Sequence, residues 1–410
     1  MTHEPAPVLL VNANIATMQK GISDEDVILN AALLVENGTI QWMGTMDALS
    51  EMTDLPKNIE KRNCHHQWLM PGFIDCHTHL VFAGNRSNEF EKRLNGVSYK
   101  EIAEQGGGIL NTVNATRAAS EALLFELGMR RAKAMLRNGV TTIEMKSGYG
   151  LDYETERRVL KVAKRLGKAL PINVSTTYLG AHAVPPEYKG KADDYVEKIC
   201  TEIMPKLAEE NLIDTVDVFC ENIGFTLEQT RKVFETAQSL GLAIKGHTEQ
   251  LSAMGGSELA ANMGALSVDH LEYLQESDVK AMAQNGTVAT LLPGAFYYLK
   301  ETKLPPIDLL RQHHVPMAIA TDFNPGSSPV ASLPLMLNMA CTLFGLTVEE
   351  SLQGVTTHAA KALGLASQIG SLEVGKLADI VCWDISHPRD LVYEYGVIQP
   401  EWIMKNGSQT

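Results

Sequence analysis

Residues 71–86 read PGFIDCHTHLVFAGNR, and the fold turns on how this run is read. A short apolar segment leads directly into two histidines one residue apart, His77 and His79. In a strand, side chains two apart project from the same face, so both imidazoles leave the strand's end together.

The same form repeats outward from this run. Apolar segments recur at 141–146 (TTIEMK), 172–180 (INVSTTYLG), 215–221 (TVDVFCE), 242–247 (LAIKGH), 266–270 (LSVDH), 287–292 (TVATLL) and 316–322 (PMAIATD). Between them lie stretches such as ETERRVLKVAKRLG and TLEQTRKVFETAQSLG, with apolar residues three and four apart and a Gly near the C-terminal end, which read as helices. With GFIDCH (72–77) these make eight βα units, which predict an α/β fold, a (β/α)8 TIM-like barrel of the usual size of about 250 residues or slightly more. The flanks differ: VLLVNANIATM and ALLVENGTIQWMG before the barrel, ADIVCWDI and EWIMKNG after it, are β-rich with Asn-Gly turn signals. The expected organisation is a barrel over 71–365 and a small composite β domain, a β-sandwich built from both chain termini, over 1–70 and 366–410.

At 410 residues with 45% hydrophobic and 20% charged content, the chain can bury one large core and a smaller unit. Its formal net charge of −14 argues against nucleic acid or an anionic membrane surface as a partner, and leaves a small molecule. An anionic one needs a local Arg or metal to draw it in. The six cysteines are scattered with no CxxC pair, as in a protein that keeps its thiols reduced. No basic leader and no run of 18 apolar residues stands out, so a cytoplasmic location is expected.

Active sites of such barrels lie where the C-terminal ends of the strands meet the following loops. Reading only those ends gives His77 and His79, His182, His247, His270 and Asp322, so that five of the chain's 12 histidines fall there. A lone histidine at a strand end is more often a hydrogen-bonded structural residue. Three imidazoles with a carboxylate, however, are the donors a catalytic zinc or iron takes.

HTH after PGFID, a His on each of the fifth and sixth strands and an Asp on the eighth resemble the amidohydrolase superfamily, and GSLEVGKLADIVCWD (370–384) resembles its return into a small β domain. Four strings, EMKSGYGLD, YLGAHAVPPEY, KGHTEQLS and ATDFNPGSSP, are similar to the imidazolonepropionase family within it. The resemblance implies hydrolysis of the ring lactam C–N bond of 4-imidazolone-5-propanoate to N-formimidoyl-L-glutamate, a step of histidine degradation. It also implies His77, His79, His247 and Asp322 as ligands of one metal ion per chain, divalent or trivalent, zinc or iron. Many superfamily members bridge two metals with a modified Lys where this chain has Cys220-Glu221, so a single ion is expected. Lys146 then reads as structural or supporting, and a homodimer is expected by analogy. The alternatives are another hydrolase or deaminase of a nitrogen heterocycle, or a metal-free scaffold, which would be expected to have lost ligands.

Such a site can lower the pKa of a water from 15.7 to roughly 7. His270 is expected to stabilise the oxyanion, and Asp322, His270 or Gln250 to serve the proton transfer to the leaving nitrogen. Gln cannot act as a base, so Gln250 is better read as a substrate contact. Arg86 is expected to hold the propanoate, Tyr149 and His182 the ring's polar edge, and Asn324 with the backbone N–H groups of Gly326 and Ser327 the newly formed carboxylate. QGGGI (105–109) reads as a flexible loop near the site, and MRRAKAMLR (129–137) as a solvated helix face. Cys64-His65-His66, His313-His314 and His358 fall outside the constellation.

Overall fold

The computed structural model describes residues 6–23, 26–53, 55–56, 58–97, 101 and 107–409. Strands β1 (Val8–Ala16), β2 (Val27–Glu36), β3 (Thr39–Thr45), β4 (Glu60–Asn63) and β5 (Trp68–Pro71) come first. Eight more follow: β6 (Phe73–Asp75), β7 (Val140–Lys146), β8 (Asn173–Ala181), β9 (Thr215–Cys220), β10 (Ala243–Thr248), β11 (Ser267–His270), β12 (Val288–Leu291) and β13 (Met317–Ile319). The chain ends with β14 (Ile380–Trp383), β15 (Pro400–Lys405) and β16 (Ser408–Gln409).

Strands β6 to β13 pair in sequence order, each parallel to the next. Every residue of β7, β11 and β12 is buried, because helices cover one face and the barrel interior the other. The helix Tyr153–Ala169 is capped by Asp152, which accepts from Thr155 N–H, and it turns Val159, Leu160, Ala163 and Leu166 inward. The helix Leu227–Ser239 starts with a reciprocal Thr226–Gln229 capping box and buries Val233, Phe234 and Ala237. Beyond their ends β6 and β13 are joined by a parallel bridge between Thr78 and Phe323. Two hydrogen bonds flank it, Asp322 N–H to His77 O at 3.0 Å and His79 N–H to Phe323 O at 2.9 Å. The ring is thus completed by the two segments that carry expected site residues.

The other sheet runs β16-β15-β14-β5-β1-β2-β3, with β4 beside β1. The two flanks of the chain meet where β5 pairs antiparallel with β14, Trp68 opposite Trp383 and Pro71 opposite Ile380. Leu10, Leu33, Ile40, Leu69 and Ile380 form its own core. Trp383 instead joins the barrel core, its ring 5.5 Å from that of Phe73. Gly139 leaves room for it: its φ is +83°, and a Cβ there would stand 2.6 Å from the indole.

Candidate active site

At the C-terminal mouth of the barrel one ring nitrogen from each of His77, His79 and His247 lies within 4.8 Å of the others. Asp322 Oδ1 lies 3.4 Å from His77 Nε2 and 3.5 Å from His79 Nε2. The strand β6 stops at Asp75, so His77 and His79 flank the Thr78 bridge rather than ending a strand, yet their rings still meet at 5.3 Å. Buried polar atoms normally find partners. Here His77 Nε2, His79 Nδ1 and His247 Nε2 are buried without a hydrogen bond. Three imidazoles this close together, with a carboxylate oxygen beside two of them, are a donor set that fits one zinc or iron ion.

Beneath the cluster lies a network of charges wholly inside the barrel. Asp269 Oδ2 is 2.6 Å from His77 Nδ1, and Asp217 Oδ2 is 3.0 Å from His247 Nδ1. Lys146 Nζ donates to Asp217 Oδ2 at 2.7 Å and to Glu144 Oε1 at 3.1 Å. Lys245 Nζ donates to Glu144 Oε2 and to Cys76 O, each at 2.9 Å. Two lysines face three carboxylates, which leaves the network one charge negative beneath the site. Burial and Lys146 both pull the His77 pKa down, but Asp269 and Asp322 outweigh them and raise it to about 8. Burial lowers His79 to about 4. It also opposes charge on Asp322, yet His77 and His79 hold that carboxyl well below its ordinary value.

A cavity of about 400 Å³ opens over the cluster, and Arg86, Tyr149, His182, Gln250, His270, Asn324, Gly326 and Ser327 all line it. The fold therefore brings every sequence-predicted contact residue to one pocket. Tyr149 is carried by a loop wrapped around Glu156, whose carboxylate accepts the N–H groups of Gly148 (2.9 Å), Gly150 (2.6 Å) and Leu151 (2.8 Å). The His182 ring stacks on His79 at 5.4 Å, and its Nδ1 donates to Gly148 O at 3.0 Å. Glu221 accepts the backbone N–H groups of Gln250 (2.6 Å) and Leu251 (3.0 Å), so its carboxylate is engaged by the loop. His270 has φ +87°, and burial lowers its pKa to about 3, which keeps the ring neutral.

One detail differs from the sequence reading. The backbone N–H groups of Gly326 and Ser327 do not stand free, because Asn324 Oδ1 accepts both, at 2.8 and 2.7 Å. Asparagine closes such local turns with its own side chain. Arg131 is a second difference: it is not solvated, since it donates to Leu80 O and Phe82 O and lies 3.6 Å over the Phe82 ring. Of QGGGI, Gln105 and Gly106 lie outside the described residues, whereas Ile109 lines the pocket. His65, His66, His313, His314 and His358 do not line it.

Sequence reasoning missed Asp217, Asp269 and Lys245 beneath the cluster, and Glu89 and Arg93 on the pocket wall. The available signal was a single charge inside an otherwise apolar strand, as in TVDVFC, LAIKGH and LSVDH.

The chain matches the model of the amidohydrolase family over residues 68–403. It is 57% identical over 398 residues to an imidazolonepropionase of Shewanella frigidimarina, covering 97% of each chain. It is also 57% identical over 389 residues to one of Psychromonas ingrahamii, covering 95% of this chain and 96% of that one. Among solved structures it is similar to an adenosine deaminase of Xanthomonas campestris with bound zinc, with a TM-score of 0.73 at 19% identity, over 99% of this chain and 93% of that one. The guanine deaminase of E. coli gives a TM-score of 0.73 at 16% identity, over 99% of both chains. At such identities these two structures bear on the fold alone.

Proposed function

We infer the roles of the site residues from the premise that the chain belongs to the amidohydrolase family and, within it, to the imidazolonepropionases. It hydrolyses the ring lactam C–N bond of 4-imidazolone-5-propanoate to N-formimidoyl-L-glutamate, in histidine degradation. The observation that carries the assignment of roles is the cluster of His77, His79 and His247 ring nitrogens within 4.8 Å of one another, with Asp322 Oδ1 beside His77 and His79, under a pocket with Arg86 in its wall.

His77, His79, His247 and Asp322 would hold one ion, zinc or iron. The ion would supply Lewis acidity and a water acidified from a pKa of 15.7 to roughly 7. Arg86 binds the propanoate through its paired Nη groups. Tyr149, His182 and the Gln250 amide hydrogen-bond the polar edge of the ring. His270, a neutral imidazole, offers one N–H to the lactam oxygen as it gains charge. Asp322 takes the proton of the attacking water on a carboxylate oxygen and passes it to the leaving ring nitrogen, whose basicity rises as the C–N bond breaks. A carboxylate formed by ring opening would replace Asn324 Oδ1 as the acceptor of the Gly326 and Ser327 N–H groups.

The domain boundaries proposed above, 71–365 for the barrel and 1–70 with 366–410 for the composite unit, are supported by the pairing of β5 with β14. Among the described residues no helix is long and apolar enough to cross a membrane; the cytoplasmic location is proposed from the six unpaired cysteines. The net charge of −14 supports a partner list without nucleic acid or anionic membrane. A homodimer is proposed by family analogy, and light scattering tests it.

Mixing metal-loaded enzyme with 4-imidazolone-5-propanoate and following the ring absorbance tests the reaction. Loss of absorbance with formation of formimidoylglutamate is expected. Absence of turnover in a sample with one ion per chain overturns it, and release of ammonia in the ring step points to a deaminase.

A further inference from the structure

Arg86 already has a partner within its own chain. Its Nε donates to Glu89 Oε2 at 2.9 Å, three residues on in the first turn of the helix Ser87–Leu94. A guanidinium carries five N–H donors in a rigid fork, and a carboxylate that takes Nε leaves the Nη1/Nη2 edge for another acceptor. That group lies against Gly326 of the pocket wall, where a Cβ would stand 3.0 Å from Arg86 Cζ.

Glu89 is held from its other side as well. Gly108 N–H donates to its Oε2 at 3.2 Å, and Asn111 Nδ2 donates to its Oε1 at 2.9 Å. Burial works against its charge, but the hydrogen bonds from Asn111 and Arg86 lower its pKa below the ordinary value. Gly108 has φ +76° and ψ −151°, a conformation essentially reserved for glycine, which aims its N–H at this carboxylate. The Arg86 and Glu89 side chains are only 14% and 13% exposed, and both residues line the pocket over the metal cluster. Exposed pairs spaced three residues apart on a helix are worth little. This one is shielded, and Glu89 accepts from three separate groups.

We propose that Glu89 is a specificity-determining positioning residue, which turns Arg86 so that its Nη1/Nη2 edge is presented to the carboxylate of the substrate. The proposal rests on the reading of Arg86 as the propanoate partner. Because Glu89 cancels the charge of Arg86, recognition there depends on the direction of two hydrogen bonds more than on net attraction. The partners of Glu89 also tie the start of the helix Ile109–Ala118, with Ile109 in the pocket wall, to the same guanidinium.

Steady-state kinetics of the metal-loaded enzyme on 4-imidazolone-5-propanoate and on its uncharged propanamide analogue test this, with metal content and melting temperature measured alongside. Glu89→Ala is expected to raise KM for the propanoate tenfold or more with kcat within about threefold, and to move KM for the amide less than twofold. Glu89→Gln, nearly isosteric and keeping one acceptor for Nε, is expected to recover part of that loss. A KM for the propanoate unchanged in Glu89→Ala, or an equal loss on both compounds, overturns the proposal. Arg86→Ala separates the two assignments. If it raises KM for the propanoate while Glu89→Ala does not, only the role of Glu89 falls; if it leaves KM unchanged, both fall.

Discussion

Asp269 Oδ2 lies 2.6 Å from His77 Nδ1, with both side chains shut off from solvent, and this contact decides which nitrogen of His77 faces the cluster. A carboxylate on the far nitrogen of a ligating histidine fixes its tautomer and raises its basicity. Asp269→Asn can present an amide N–H to the same atom and loses that preference. We expect metal affinity to fall about 10- to 100-fold. Competition with a chromophoric chelator measures it, and affinity equal to that of the parent removes Asp269 from this role.

His247→Ala takes away a donor that no neighbour replaces, since Asp217 and Asp269 are already engaged by Lys146, His77 and Ser267. Activity is expected to vanish together with the ion. Elemental analysis of purified variant that still finds one ion per chain would falsify the ligand assignment.

Arg86→Ala removes charge-assisted hydrogen bonds worth about 1.5–3 kcal/mol, so KM for the propanoate is expected to rise by roughly 10- to 100-fold. Gly326→Ala acts on the same group from the opposite wall, because its Cβ would stand 3.0 Å from Arg86 Cζ and collide with Nη1. A smaller rise in KM in the same direction is expected. A Gly326→Ala enzyme with the parent's KM shows that the guanidinium can shift at no cost to binding.

Burial, assisted by Glu301 and Asp322, pushes the Glu272 carboxyl up to about 8, and its Oε2 has no hydrogen-bond partner. The folded state therefore holds this proton at pH values where the unfolded chain, with a carboxyl pKa of about 4.3, has lost it. The contribution of Glu272 to stability is full below about 4.3 and is lost as the pH rises through about 8. Glu272→Gln cannot ionise, so it is expected to gain on the parent with rising pH, by on the order of a few kcal/mol at most. Thermal melts of the metal-loaded proteins between pH 5 and 9 check the sign, and a constant gap across that range contradicts it.

The barrel is legible because parallel strands buried on both faces leave uninterrupted apolar runs, and all eight runs became strands. Their ends are less so. GFIDCH reads as one strand to His77, but Asp75 turns its carboxylate to Thr321 N–H (3.1 Å) and Thr321 Oγ (2.7 Å), and the strand stops there. The gathering of His77, His79, His182, His247, His270 and Asp322 is legible because the barrel collects chemistry at strand ends; which four of them hold an ion is implied by the family resemblance. What supports them is not. Lys245 and Glu144 stand 101 residues apart, and each alone reads as a flaw in an apolar pattern. NPGSS announces a turn, but nothing in its composition tells that Asn324 occupies its N–H groups. The same holds for Arg131, whose helix looks solvated until the Leu80 and Phe82 carbonyls appear beside it.

β6 and β13 share no ladder of their own and meet through the single Thr78–Phe323 bridge. The proposed ligands straddle that junction, with His77 and His79 following β6 and Asp322 following β13. An ion held there acts as the clasp of a bracelet, fastening the first strand of the ring to the last. With Asp322 as a ligand, the full donor set would be complete only after all but the last part of the chain has been made. Chelation would then reach the fold as well as the chemistry: stripping the ion is expected to loosen the clasp first, so that the amides of His79 and Asp322 exchange faster before the rest of the barrel's.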